Sequence, residues 1–175
     1  MDSDQFISSF SSVLQTKTYL KNQIIHREQT ICNNLYFVKF GVVRAFYHRD
    51  GKDVTAHIAI DQGAITAIDS FIQRKPSRYN IESLEDSTLI VLNYRELTQF
   101  LLENPQHERT ARVFLEKIYI DLAERIESLL FHTAQERYEK LVKQNPSIVQ
   151  RVNLGHIASY LGISQETLSR VRARF

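Results

Sequence analysis

Apolar positions change their spacing along the chain, and each change predicts a different element. Phe6, Ile7, Phe10, Val13 and Leu14 fall on one face of a helix over residues 4–14. From Thr16 to about Tyr94 the pattern becomes that of short strands. Candidate runs are residues 17–20, 23–26, 35–40, 42–48, 54–60, 79–84 and 88–92. Asp50-Gly51 between two apolar runs is a strong hairpin signal, because both positions of the tight turn take positive φ. Gly41 marks another turn or bulge. So many short strands predict an antiparallel, jelly-roll-like β-roll.

The helical period returns over residues 94–102, and Pro105 then opens a long helix running to about residue 132. Ala111, Leu115, Ile118, Leu122, Ile126 and Leu129 recur every three or four residues, and Phe114, Tyr119 and Leu130 widen the stripe. So broad a face predicts two neighbours, the roll and a second copy of the same helix. Leu115, Ile118, Leu122, Ile126 and Leu129 would line that two-fold seam. A core helix within a monomer is the competing reading. Another helix over residues 133–145 ends before Pro146, and residues 144–147 read as a connector.

The last stretch carries the sharpest signal. Ile157, Ala158 and Leu161 share a helical face, and Gly162 stops that helix in a turn that needs a left-handed residue. Ser164 is a good N-cap for a second helix, in which Leu168, Val171 and Phe175 share one face. Gln165, Glu166, Ser169 and Arg170 share the opposite, polar face. The small Ala158 lets two helices cross closely. This is the pattern of a helix-turn-helix whose second helix enters the DNA major groove. Ser164, Gln165, Glu166, Thr167, Ser169, Arg170, Arg172 and Arg174 are the candidate DNA-contacting residues. A plain helical hairpin with a solvated second helix is the bland alternative; Ala158, Gly162, Leu168 and Val171, each at its offset, weigh against it.

The expected fold class is α+β: an N-terminal β-roll with flanking helices and the long dimer helix (residues 1–132), then a small all-α domain (residues 133–175). From Thr133 onward seven Arg and Lys face three Glu, although the whole chain carries a net charge of only +2. A basic tail on a slightly acidic body suits a DNA-binding unit attached to a sensor. The single cysteine, Cys32, excludes an intrachain disulfide, and the polar N-terminus is unlike a secretory signal, so the cytoplasm is the expected compartment.

The run Ile157-Ala158-x-x-Leu161-Gly162-Ile163-Ser164-x-Glu166-Thr167-Leu168-Ser169-Arg170 resembles the helix-turn-helix of Crp/Fnr transcription regulators. The order of roll, long helix and helix pair resembles that family over nearly the whole chain. Residues 35–44 look like its central hairpin, and Ser83-Leu84-Glu85-Asp86 looks like the entry to its last roll strand. The resemblance implies a cytoplasmic homodimer on double-stranded DNA, with RNA polymerase as a further candidate partner, and Glu166 and Arg170 as base readers. Many members continue into a β-hairpin wing after the recognition helix, whereas the sequence given ends at Phe175.

The resemblance also places a phosphate-binding cassette. In nucleotide-binding members it holds Gly-Glu, a short helix, then Arg, a small hydroxyl residue and Ala. The corresponding run here is residues 63–72. The Gly-Glu pair falls near Ala67-Ile68, the Arg position on Ser77, and Tyr79 stands where alanine is usual. Cyclic AMP is therefore not the expected effector. A shifted pocket would use Asp69, Ser70, Ser77, Arg78 and Tyr79. The six histidines form no metal signature, and no catalytic motif is present, so no metal, cofactor or catalytic residue is predicted. A regulator-like protein acting through protein partners is the alternative function; a β-barrel enzyme ranks third.

Overall fold

The computed structural model describes residues 3–173. Helix α1 (Ser3–Ser9) and a 3-10 turn (Ser11–Val13) lead into eight strands. These are β1 (Leu14–Tyr19), β2 (Ile24–His26), β3 (Asn34–Phe40), β4 (Val42–Arg49), β5 (Lys52–Ile60), β6 (Ala64–Ile65), β7 (Asn80–Ser83) and β8 (Ser87–Asn93). Helix α2 (Ile68–Gln73) interrupts them after β6. Then come α3 (Tyr94–Glu103), a 3-10 turn (Pro105–His107), α4 (Glu108–Phe131), α5 (Ala134–Gln144), α6 (Ile148–Arg151), α7 (Leu154–Leu161) and α8 (Gln165–Arg172).

The strands form two antiparallel sheets in the orders β1-β8-β3-β6 and β2-β7-β4-β5. Alternation along each strand explains how they stack. Tyr36, Val38, Leu89 and Val91 of the first sheet meet Val43, Ala45, Ala59 and Ile81 of the second in one buried cluster. The alternate residues Leu35, Phe37 and Leu92 face outward into a second cluster with Phe6, Phe10 and Phe114 of the helices. Both faces of the first sheet are thus covered, which is why its strands read as nearly continuous apolar runs. Asp50 and Gly51 both take positive φ and join β4 to β5 as the hairpin signal predicted.

The N-terminal helix is shorter than the predicted 4–14. It stops at Ser9, and Leu14 opens β1, paired with Leu92. Serines 8, 9, 11 and 12 favour turns over helix interior, and the Ser9 hydroxyl donates to the carbonyl of Gln5 four residues back.

A separate C-terminal domain was expected, but the helices after α4 share a core with the roll. Val42 and Ile60 of the second sheet are buried with Tyr138, Leu141, Ile148, Ile157, Leu161 and Leu168. The outer face of β4 and β5 is apolar at these positions, so it needs cover, and the C-terminal helices supply it. At the expected boundary, α4 ends at Phe131, and Thr133 opens α5 with a capping box to Glu136. No helix among the described residues is long and apolar enough to cross a membrane.

Candidate functional site

The α7–α8 pair is built by local rules. The Asn153 side chain accepts from the Gly155 N–H and starts α7. Gly162, at φ +68°, ends it in the left-handed region, and the Ser164 hydroxyl accepts from Thr167 N–H at 3.1 Å to start α8. Ile157, Ala158 and Leu161 of α7 are buried with Leu168 and Val171 of α8. Ser164, Gln165, Glu166, Ser169, Arg170 and Arg172 are exposed, and Thr167 is half-buried. Gln165, Glu166, Ser169 and Arg170 line a shallow hollow together with Leu154 and Leu168. Arg170 donates to the Thr167 hydroxyl at 3.3 Å. The Glu166 carboxyl is held below its usual value, first by the Ser164 hydroxyl and weakly by Arg170. Arg174 and Phe175 lie outside the described residues.

A second feature is a cleft of about 750 Å³ between the β5–β6 region of the roll and α4. Its volume lies within the range of small-molecule sites. Of the five residues predicted for an effector pocket, Asp69 and Tyr79 line it, and the other three do not. Ser70 is buried, accepting from Cys32 N–H at 2.9 Å and donating to the Lys75 carbonyl. Ser77 is buried, and its hydroxyl accepts from Tyr79 N–H at 2.8 Å. These two hydroxyls fasten the loop around α2 rather than facing a ligand. Arg78 is exposed on the loop. The Tyr79 hydroxyl is pushed up by burial and by Asp69 and Tyr47, with Arg78 opposing. Asp69 sits in the first turn of α2, where its charge already occupies the positive end of the helix and repels an anion.

The cleft has polar residues that sequence reasoning missed. His57 is reachable from solvent but enclosed between roll and helix, and its Nε2–H donates to the Ala64 carbonyl at 3.4 Å. Burial holds its imidazole below the usual value; Arg125 adds to this and Asp121 opposes it. His57 thus stands opposite Asp121 and Arg125 of α4 across the cleft. The meeting is non-local, so the signal available was Arg125 itself, a cation set among the apolar positions of α4. The cluster buried between the two sheets is built of apolar side chains together with Tyr36.

On α4 the predicted seam residues divide. Leu115, Leu122, Ile126 and Leu129 remain 44 to 58% exposed. Ile118, at the edge of that row, is half-buried against the roll cluster. Tyr119, Ile120, Leu130 and Phe131 extend the apolar surface.

Comparisons with known proteins agree with this architecture. The structure of FixK2 from Bradyrhizobium japonicum superposes with a TM-score of 0.76 at 19% identity, covering 93% of this chain and 84% of that one. A transcriptional regulator of the crp/fnr family from Eubacterium rectale gives 0.70 at 20%, covering 100% and 83%. The c-di-GMP responsive global regulator CLP of Xanthomonas campestris gives 0.68 at 17%, covering 98% and 91%. At such identities these likenesses establish the fold alone. A search of curated protein sequences finds no match. The family described as "Cyclic nucleotide-binding domain" matches residues 16–104, from β1 through α3. That span is just over half of the 175 residues and takes in the roll except the first two residues of β1, so the chain belongs to the cyclic nucleotide-binding domain family.

Proposed function

We propose that the protein is a dimeric DNA-binding transcription regulator of Crp/Fnr type that reads a roughly palindromic operator through α8. The observation that carries this is the division of α8: Leu168 and Val171 are buried, while Gln165, Glu166, Ser169 and Arg170 stand exposed on one side. Glu166 can accept from a cytosine amino group, and Arg170 can donate two bonds to a guanine edge. Arg172 at the end of the helix suits phosphate contact. The apolar row on α4 supports a two-fold pairing of long helices, which would set two α8 helices about one helical turn of DNA apart. In this reading residues 1–132 are the sensor and 133–175 the DNA-binding unit, working in the cytoplasm and acting through RNA polymerase.

The cleft beside α4 is the effector site of the proposal, and cyclic AMP is not the effector. Asp69 at the first turn of α2 and the bulk of Tyr79 both oppose a cyclic phosphate at the cleft. Selection of duplexes from a random pool by the full chain tests the main reading. A motif of two inverted half-sites is expected. Enrichment of no sequence, or of a single unpaired half-site, counts against a dimeric operator binder.

A further inference from the structure

Helix α7 lies on the outer face of the second sheet and meets it through two adjoining polar contacts. Arg44 shares the outer face of β4 with Val42 and Phe46, and its side chain is only 4% exposed. Its guanidinium pairs with Asp53 of β5 at 2.5 Å and Glu82 of β7 at 2.6 Å, and donates to Thr55 Oγ1 at 2.9 Å. Arg44 Nη1 also lies 3.0 Å from Nδ1 of His156 on α7. A guanidinium nitrogen only donates; Nη1 shares its two hydrogens among Asp53 Oδ1 at 2.5 Å, Thr55 Oγ1 and Nδ1, so Nδ1 faces it as an acceptor in a neutral imidazole with its proton on Nε2. Three residues further along α7, Ser159 Oγ accepts from Thr55 N–H at 2.9 Å. Since β5 is the edge of its sheet, that N–H finds its acceptor on α7 rather than on another strand.

We propose that His156 is the releasable part of a latch: as a neutral acceptor it holds α7 on the roll, and protonation of its imidazole detaches the helix pair from β4 and β5. The charged groups facing it are Arg44, Asp53 and Glu82; the neighbouring helix α8 brings the uncharged Gln165 near the start of α7. A proton on Nδ1 would set two donors against each other and a second positive charge beside the guanidinium, while both carboxylates are already paired. Burial and then Arg44 push the imidazole below its usual 6.5, and the two acids oppose this. Docking is therefore complete above the ordinary histidine value and weakens as pH falls through and below it. Among the described residues, a further ionic contact of the seam joins Arg151 of α6 to Asp61 at 2.7 Å and Glu85 at 2.6 Å. Arg151 holds the Asp61 carboxyl below 3.8, so that carboxylate stays ionised across the window in which the imidazole titrates. The latch stands on these contacts; its consequence for an operator rests on the DNA-binding reading.

Amide hydrogen exchange on the full chain tests it, because the Thr55 N–H bonds to Ser159. Corrected for intrinsic rates, Thr55 protection should fall several-fold between about pH 7.5 and about pH 5.5, a range that spans histidine titration. Val43, at the centre of the same sheet, should keep its protection. In His156→Gln, whose side chain accepts but cannot be protonated, Thr55 protection should not depend on pH. In Ser159→Ala, it should be low throughout. Protection independent of pH in the wild type overturns the proposal. So does a pH dependence that survives in His156→Gln, a parallel loss at Val43, or a protected Thr55 in Ser159→Ala. No DNA enters the measurement, so its failure leaves operator binding standing, and the reverse holds.

Discussion

The guanidinium of Arg125 lies over the ring of Tyr160, 4.0 Å from its centroid, and donates to the Tyr160 carbonyl. Arg137 of α5 donates to the next carbonyl, that of Leu161, at 3.0 Å. The last carbonyls of a helix lack intrahelical partners, so two arginines close the end of α7 and tie it to α4 and α5. Arg125→Ala should cost about 1–3 kcal/mol of stability through the lost stack and hydrogen bond. Arg125→Lys keeps the charge but not the plane and should fall between. Urea unfolding midpoints give the comparison, and an Arg125→Ala protein as stable as wild type would make the contact incidental.

Leu122 is 47% exposed in the single chain, so its effect belongs to assembly. Leu122→Asp should leave the fold intact while burying an unpaired charge in a helix pair, a cost on the order of several kcal/mol. Sedimentation should show wild-type dimers and variant monomers with unchanged circular dichroism. A wild type that sediments as a monomer at micromolar concentration defeats the dimer.

Two arginines on α8 should behave differently on DNA. Arg170→Ala should cost roughly 1–3 kcal/mol on the selected operator and relax preference at one base pair in each half-site. Arg172→Ala should weaken cognate and scrambled duplexes alike and flatten the salt dependence. Titrations of both variants across a salt series separate the roles. Equal losses on both duplexes for Arg170→Ala would reduce it to a phosphate contact.

Gly41 and Gly162 both have positive φ, but only one is also crowded. A Cβ on Gly41 would fall 2.1 Å from Ser87 Oγ and 2.8 Å from Ser87 Cα, where no rotamer change gives room. A Cβ on Gly162 would meet only Leu129 Cδ2, at 3.5 Å. Gly162→Ala should therefore cost the left-handed backbone penalty alone, about 1–2 kcal/mol. Gly41→Ala should cost more than about 3 kcal/mol, since overpacking adds to the strain. Thermal melts that rank the two the other way would contradict the packing described for the β3–β4 turn.

What the sequence made legible was whatever obeys a local period. β3 and β4 emerge on either side of Gly41, with Asp50-Gly51 closing β4, and the split of α8 into Leu168 and Val171 against Gln165, Glu166, Ser169 and Arg170 follows from helical spacing. β6, α2 and α6 are too short to show a period. Ser70 and Ser77 entered the predicted pocket by counting along a cassette, and counting cannot tell a hydroxyl that faces a ligand from one that fastens a loop. Arg44 gives no local sign of burial, because its partners come from β5, β7 and α7. His57 likewise acquires meaning only when α4 folds over it. The exposed side of α4 was legible as a broad stripe, but that Ile118 turns towards the roll depends on the path of the helix.

β5 ends its sheet, and an unpaired strand edge is a template on which another chain can add itself. Ser159 of α7 holds one of the amide groups that such a chain would seek. The helix that begins the proposed DNA-binding pair is therefore also a guard against self-association. A molecule whose helix pair has swung away offers its neighbours a free β-strand, so conditions that free the helices should also make the protein stick to itself.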